Sequence, residues 1–276
     1  MNEKTNVPRI MGILNVTPDS FYDGGRHQEH QDGLDRARKM VEAGADIVDV
    51  GGESTSPGSD PVPLSEEKNR VLPVVKSLLR ELSVPVSIDT RKPEVAAEAL
   101  ELGADYLNVV TGFENEEMVS LAARHGCRVV VMHMQGTPRD MQEDPTYDDV
   151  VSDVKTYLRD RARSLTEAGV RSEDILVDPG IGFGKKLEHN RRLLRNVDSL
   201  RELGYPVLVG HSRKTFIGDV TGKPATERRG GTLLVSSRLM DQGVDVLRVH
   251  DVAEHVQARE LHHWWHGSGG DEGGGR

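Results

Sequence analysis

Apolar and polar positions along this chain repeat in one rhythm: a helical period of apolar residues, a glycine, a short run that is almost wholly apolar, then a polar residue. The unit appears as Gly44 before IVDV, Gly103 before YLNV, Gly126 before VVVM, Gly169 before ILVD, Gly204 before VLVG and Gly243 before VLRV. Glycine takes the left-handed turn after a helix at little cost, and a short β-branched run apolar on both faces is how a buried parallel strand reads. Each unit therefore predicts a helix-to-strand junction. An opening strand at residues 9–15 and another at 86–89 bring the total to eight, with room for a helix between successive strands. Eight such units in 276 residues match a single (β/α)₈ barrel (TIM barrel), for which about 250 residues is typical. The expectation is one barrel over residues 1–266 and a disordered, glycine-rich tail over 267–276.

Barrels of this kind carry their sites at the C-terminal ends of the strands. Read there, the chain offers Asn15, Asp49, Asp89, Asn108, His133, Asp178, Lys214, Arg248 and His250, a polar ring that an inert barrel would not need.

Composition narrows the partners. Lys and Arg total 35 against 45 Asp and Glu, a formal net charge of −10, which disfavours a nucleic-acid backbone or an anionic membrane surface. The single cysteine, Cys127, opens an apolar strand and reads as a small buried hydrophobe. The first ten residues lack an apolar signal region, and no run reaches the roughly 18 apolar residues of a membrane span; a cytoplasmic protein is expected. Leu261, Trp264 and Trp265 have helical spacing and are expected to pack the final helix, with His262, His263 and His266 as solvated imidazoles at its end, without function.

Four loops carry the candidate chemistry. The first, residues 13–26, and the second, residues 51–63, are longer than a βα turn needs and rich in turn formers and hydroxyls suited to an anion. The amide oxygen of Asn15 suits a hard cation such as Mg²⁺, though the residue suits a cap equally well. The third and fourth, DPGIGFGKK (178–186) and GHSRKTFIG (210–218), let backbone approach a flat ligand, with Phe183 placed to stack on it or to cover the barrel mouth. Arg248 and His250, two apart on a strand, project to one side. With Asn15 across the seam they suit a diphosphate, the competing reading being an ion pair from Arg248 to Asp49 or Asp251. Asp89, Asn108 and Asp178 form a donor and acceptor array for a flat, nitrogen-rich heterocycle. There is no GxGxxG after the first strand, no Walker loop, no HExxH and no CxxC, and no nucleophile elbow surrounds Ser212 to make a triad with His211.

These segments resemble the dihydropteroate synthase family from about Arg9 to His255: MGILNVTPDSFYDGG (11–25), GADIVDVGGEST (44–55), PVSIDTRKPEV (85–95), MHMQGTP (132–138), DPGIGFGK (178–185), SRK (212–214) and RVHDV (248–252). The resemblance implies transfer of a pterin-methyl group from hydroxymethyl-dihydropterin diphosphate to para-aminobenzoate, with release of pyrophosphate, in folate biosynthesis. It implies that Asp89, Asn108, Asp178 and Lys214 bond the pterin, with Met132 and Phe183 packing its faces. Asn15, Arg248 and His250 would hold the diphosphate with Mg²⁺, assisted by Thr55. Asp23 would offset a pterin-methyl cation formed by a dissociative route, while Phe21, Lys214 and Ser212 frame the aminobenzoate. A homodimer through the helical shell is implied, with Leu239 and Trp264 expected on the final helix. The chain departs from the family pattern twice: ESTSPG replaces ESTRPG, so Ser56 stands where an arginine is usual, and Val109 follows Asn108 in place of Asp. The missing arginine could shift its work to Arg26 or Arg91. The alternatives are a pterin-binding paralogue without synthase activity and a methyltetrahydrofolate–corrinoid methyltransferase domain.

Overall fold

The computed structural model describes residues 7–17, 25–56 and 58–266, with the backbone alone for residues 25–29. Eight strands are present: β1 (Arg9–Asn15), β2 (Ile47–Gly51), β3 (Val86–Asp89), β4 (Tyr106–Val109), β5 (Arg128–Met132), β6 (Ile175–Asp178), β7 (Leu208–Gly210) and β8 (Val246–Val249). The helices between and after them are α1 (Gly25–Glu42), α2 (Leu64–Glu81), α3 (Pro93–Leu102), α4 (Glu116–His125), α5 (Val150–Glu167), α6 (Leu187–Leu194), α7 (Thr215–Thr221), α8 (Arg229–Asp241) and α9 (Val252–His266). All pairings are parallel, in the order β6-β5-β4-β3-β2-β1-β8-β7. The seam between β6 and β7 is held by the bond from Val177 N–H to the Pro206 carbonyl, 2.9 Å, and the bridge of Val177 to Val207. The barrel is as the rhythm predicts, and Gly103 and Gly126 cap α3 and α4 in the left-handed region, with φ of 109° and 61°.

Alternation along the strands places the chemistry. Ile10, Val48, Val50, Ile88, Leu107, Val129, Val131, Val177 and Leu247 pack against the helices in the large outer core. Met11, Ile47, Tyr106, Val130, Leu176, Leu208 and Val246 form a separate cluster inside the barrel. Side chains two positions further along a strand share its face, so the next inward positions are Ile13, Asp49, Asn108, Met132, Asp178, Gly210 and Arg248. The first inward layer is an apolar plug and the second is largely polar. Below the plug, the Tyr106 hydroxyl accepts from Arg9 Nη1 at 2.8 Å and Arg128 Nη1 at 3.3 Å.

Cys127 is buried, as expected, and burial pushes its thiol up to about 12. Two expectations for the last helices are corrected. Leu239 lies on α8 and is fully buried, so it is not on the final helix, and Leu261, Trp264 and Trp265 are 58%, 71% and 72% exposed. The hydrophobic stripe of α9 ends before them: Val252 and His255 are its buried residues, and its last turns extend past the barrel wall. The tail from residue 267 onward lies outside the described residues, and among these no helix is long and apolar enough to cross a membrane.

Behind β7, His211 Nε2 and His255 Nε2 both meet the Ser236 hydroxyl, at 2.7 and 3.0 Å. Burial, with His255 adding, pushes the His211 imidazole down to about 3. The unfolded chain takes up that proton near the ordinary value of about 6.5. Stability therefore falls as pH is lowered between these limits, by about 1.4 kcal/mol per pH unit from this group alone. His211→Gln, which keeps a polar group near Nε2, is expected to flatten urea-derived stability against pH by that slope between about pH 6 and 4. An unchanged slope would mean that His211 is already protonated in the folded protein.

Candidate active site

The polar layer opens into a cavity of about 500 Å³ at the C-terminal mouth of the barrel, within the usual range of roughly 300–1,000 Å³ for ligand pockets. Its walls include Asn15, Thr55, Ser56, Asp89, Phe183, Ser212, Lys214, Arg248 and His250. All four candidate loops reach this rim.

At the floor, Arg248 is the centre of a charge cluster. Its Nε donates to Asp49 Oδ2 and its Nη2 to Asp89 Oδ2, each at 2.6 Å. Asn108 Nδ2 donates to the same Asp49 oxygen at 3.1 Å, while Asp49 Oδ1 is buried with no partner among the described residues. The ion pair weighed for Arg248 thus exists, with Asp49 as one partner, and Asp89 completes it. Burial works against the Arg248 charge, but Asp49 and Asp89 outweigh it and raise its pKa. One guanidinium serves two carboxylates, and burial together with the Asp49 charge raises Asp89 despite the Arg248 contact. Gly210 stands between Arg248 and Asp178: a Cβ there would make ordinary contacts, 3.6 Å from Asp178 Oδ2 and 3.8 Å from Arg248 Cδ.

On the opposite wall Asp178, 4% exposed at the end of β6, accepts the Gly180 N–H at 2.7 Å. Burial nonetheless raises its carboxyl above the usual range. Lys214 lies over the Phe183 ring, with Nζ 3.7 Å from the centroid, and donates to the Ile181 carbonyl at 2.5 Å. Burial pushes its ammonium down to about 7, opposed by Asp178. Met132 and Phe183 share an apolar cluster with Val110 and Met141. This wall offers a flat apolar slot with Asp178 and Lys214 at its edge. On the remaining side His250 Nδ1 meets Ser212 Oγ at 3.0 Å. Burial and the Arg248 charge push His250 down to about 4, so the ring is neutral at pH 7.

The structure therefore brings Asn15, Thr55, Asp89, Asn108, Met132, Asp178, Phe183, Ser212, Lys214, Arg248 and His250 to one barrel mouth. Phe21 and Asp23 lie outside the described residues, as does the side chain of Arg26. His133 belongs elsewhere: its Nδ1 meets the buried Lys185 Nζ at 2.9 Å, beneath the rim. Ser212 bonds His250 while His211 bonds Ser236, so no triad forms. Arg213, close to the opening, is tied to Asp251 with Nε–Oδ2 3.0 Å.

Sequence reasoning placed Asp49 on the ring but missed that it holds Arg248 and Asn108. It also missed the brace beneath the second loop. Glu53 accepts from Arg91 Nη2 and Lys92 Nζ, each at 2.6 Å, and buried Glu67 accepts from Thr90 Oγ1 at 2.6 Å and pairs with Lys92. Arg91 is thus engaged by Glu53, not by the place of the missing arginine. Glu67 had a readable signal, since it interrupts the buried stripe Val71, Val74, Leu78 of α2.

The sequence signature described as pterin binding enzyme matches residues 11–250. The dihydropteroate synthase of Escherichia coli is 44% identical over 254 residues, covering 92% of this chain and 90% of that protein. A probable bifunctional folylpolyglutamate synthase/dihydropteroate synthase of Haloferax volcanii is 47% identical over 249 residues; the match takes in 90% of this chain and 30% of that protein. Among solved structures, dihydropteroate synthase from Thermus thermophilus in complex with 4-aminobenzoate superposes with a TM-score of 0.85 at 48% identity, covering 94% of this chain and 95% of that one.

Proposed function

The chain belongs to the dihydropteroate synthase family of pterin-binding enzymes, and from that premise we propose how its barrel mouth carries the reaction. The enzyme is a transferase that condenses hydroxymethyl-dihydropterin diphosphate with para-aminobenzoate, giving dihydropteroate and pyrophosphate. The observation that carries the site reading is the polar second layer of the barrel, with Asp178 and Lys214 edging an apolar slot and Arg248 beside it. Asp178, Asn108, Asp89 and Lys214 would bond the pterin edge, a set of donors and acceptors matched to its alternating ring nitrogens. Met132 and Phe183 would cover its faces.

Arg248 spends two of its five N–H donors on Asp49 and Asp89, which leaves others for the diphosphate beside His250, Ser212 and Thr55. Asn15 offers a single hard oxygen, which fits Mg²⁺ carried in by the diphosphate, since that ion prefers few protein ligands and several phosphate and water oxygens. Bound there, Mg²⁺ would supply charge neutralisation for the leaving group. Arg248 would stabilise the same developing charge from fixed geometry. The route is dissociative: the C–O bond to the diphosphate breaks first, and the amine of para-aminobenzoate then captures the pterin-methyl cation, losing its proton afterwards. Asp23 and Phe21, from the first loop, would offset the cation and frame the amine together with Ser212. The diphosphate elements favour this reading over a corrinoid methyltransferase, which would not need them. A cytoplasmic homodimer completes the reading, supported by the exposed Leu234, Leu261, Trp264 and Trp265 of α8 and α9.

The test is turnover with Mg²⁺, pterin diphosphate and para-aminobenzoate, following pyrophosphate and dihydropteroate together. Coupled release of both is expected, with kcat/KM reduced by about 10²–10³ in Lys214→Ala and Asp178→Asn, the size of losing one preorganised polar contact. Tight binding of the pterin diphosphate without pyrophosphate release would instead identify a binding paralogue crippled by Ser56.

A further inference from the structure

Of the three histidines near the end of α9, His263 is exposed, whereas His262 and His266 share a partner. Helix α9 continues to His266, and His262 and His266, one turn apart, share a face. Both meet one carboxylate oxygen: Asp241 Oδ1 lies 3.2 Å from His262 Nε2 and 3.3 Å from His266 Nε2. All three atoms lie within 4.8 Å of one another. Arg238 Nη1, 3.4 Å from Asp241 Oδ2, occupies the other oxygen, so Oδ1 is the one turned to the rings.

We propose that Asp241, His262 and His266 form a divalent transition-metal site of the Zn²⁺ class, remote from the catalytic mouth. Zinc bonds of about 2.0–2.2 Å to nitrogen and oxygen, tetrahedrally arranged, put neighbouring ligand atoms about 3.3 Å apart. The two carboxylate–imidazole separations match that edge, and the 3.2 Å contact also serves as a hydrogen bond from neutral imidazole while no metal is bound. Two imidazoles and one carboxylate are a zinc donor set with a fourth position for water. The surroundings favour a cation as well. Asp241 ends α8, so the negative end of that helix dipole lies at the site. This end lies at the bottom face of the barrel, where features bear on stability and not on catalysis. The bound metal would pin the end of α9 to α8, holding the helix whose last turn carries the only two tryptophans.

The experiment uses the full chain, stripped with chelator and titrated with Zn²⁺ alone. At a free concentration 100-fold above the dissociation constant, linkage predicts a rise in melting temperature of about 5 °C or more, with one ion bound per chain by calorimetry and a change in tryptophan emission. His266→Ala and Asp241→Asn should abolish the rise and the emission change, while His263→Ala keeps them. No zinc-dependent shift, or a shift that survives in His266→Ala, would overturn the proposal and leave only hydrogen bonds between the rings and Asp241.

Discussion

Arg248→Met is expected to lose stability and turnover together, and adding Asp49→Asn is expected to return only the first. Arg248 links β8 to Asp49 on β2 and Asp89 on β3 across the lumen, each through a 2.6 Å contact. Asp49 is fully buried, so without the guanidinium two carboxylates share the barrel floor with no ion-pair partner, the more distant Lys214 being the cation still acting on Asp89. Breaking a buried pair from one side costs about 3–5 kcal/mol, or roughly 10 °C in melting temperature for a chain of this size. Neutralising Asp49 removes most of that penalty, because the destabilising element is the orphaned charge. It does not restore a cation for the departing diphosphate, so kcat/KM should stay about 10²–10³ below wild type in both variants. Thermal melts and steady-state rates on the two proteins decide the matter. A double variant that turns over normally would show that Arg248 serves the barrel alone.

Gly180→Ala should be the most damaging glycine substitution at the mouth. Gly180 has φ of 65°, and a Cβ there would sit 1.9 Å from the His133 carbonyl oxygen. That oxygen belongs to backbone just beyond β5, held by the bond from His133 N–H to the Asp178 carbonyl at 3.0 Å, so it has little freedom to retreat. Gly103 provides the comparison, with φ of 109° and nothing within 4 Å of its own virtual Cβ. There alanine pays only for the left-handed backbone, about 1–2 kcal/mol. At Gly180 the clash adds to it, for a total of about 4 kcal/mol or more, among the largest single-residue losses. Because Gly180 N–H bonds Asp178 Oδ1, the substitution should raise KM for the pterin substrate as well. Equal losses in urea unfolding for the two variants would refute the close-approach argument.

The barrel was legible because its signals are local. A glycine ahead of six of the strands and an apolar run of about four or five residues are set by the chain within a few positions. The strand ends followed, and with them Asp89, Asn108, Asp178 and Arg248. The partnership of Arg248 with Asp49 and Asp89 was not, because it crosses the lumen and depends on which inward residues meet at one height. The same holds for Glu53 with Arg91 and Lys92, where three like-looking surface charges turn out to brace a loop. The error at Trp264 and Trp265 has a different source: helical spacing announces an apolar face but not whether a barrel wall stands opposite it.

The contact between Arg248 and Asp49 also sets when the site comes into being. The two residues are 199 positions apart, and a chain made from its N-terminus has Asp49 and Asp89 in place long before their counter-cation is synthesised. Until β8 is inserted between β1 and β7, the floor of the barrel is a pair of like charges that disfavours its own closure. Arrival of the last strand supplies the hydrogen bonds of two edges and cancels that repulsion in one step. Assembly of the polar floor and closure of the barrel are thus the same event, and a truncated barrel lacking β8 is expected to show no turnover.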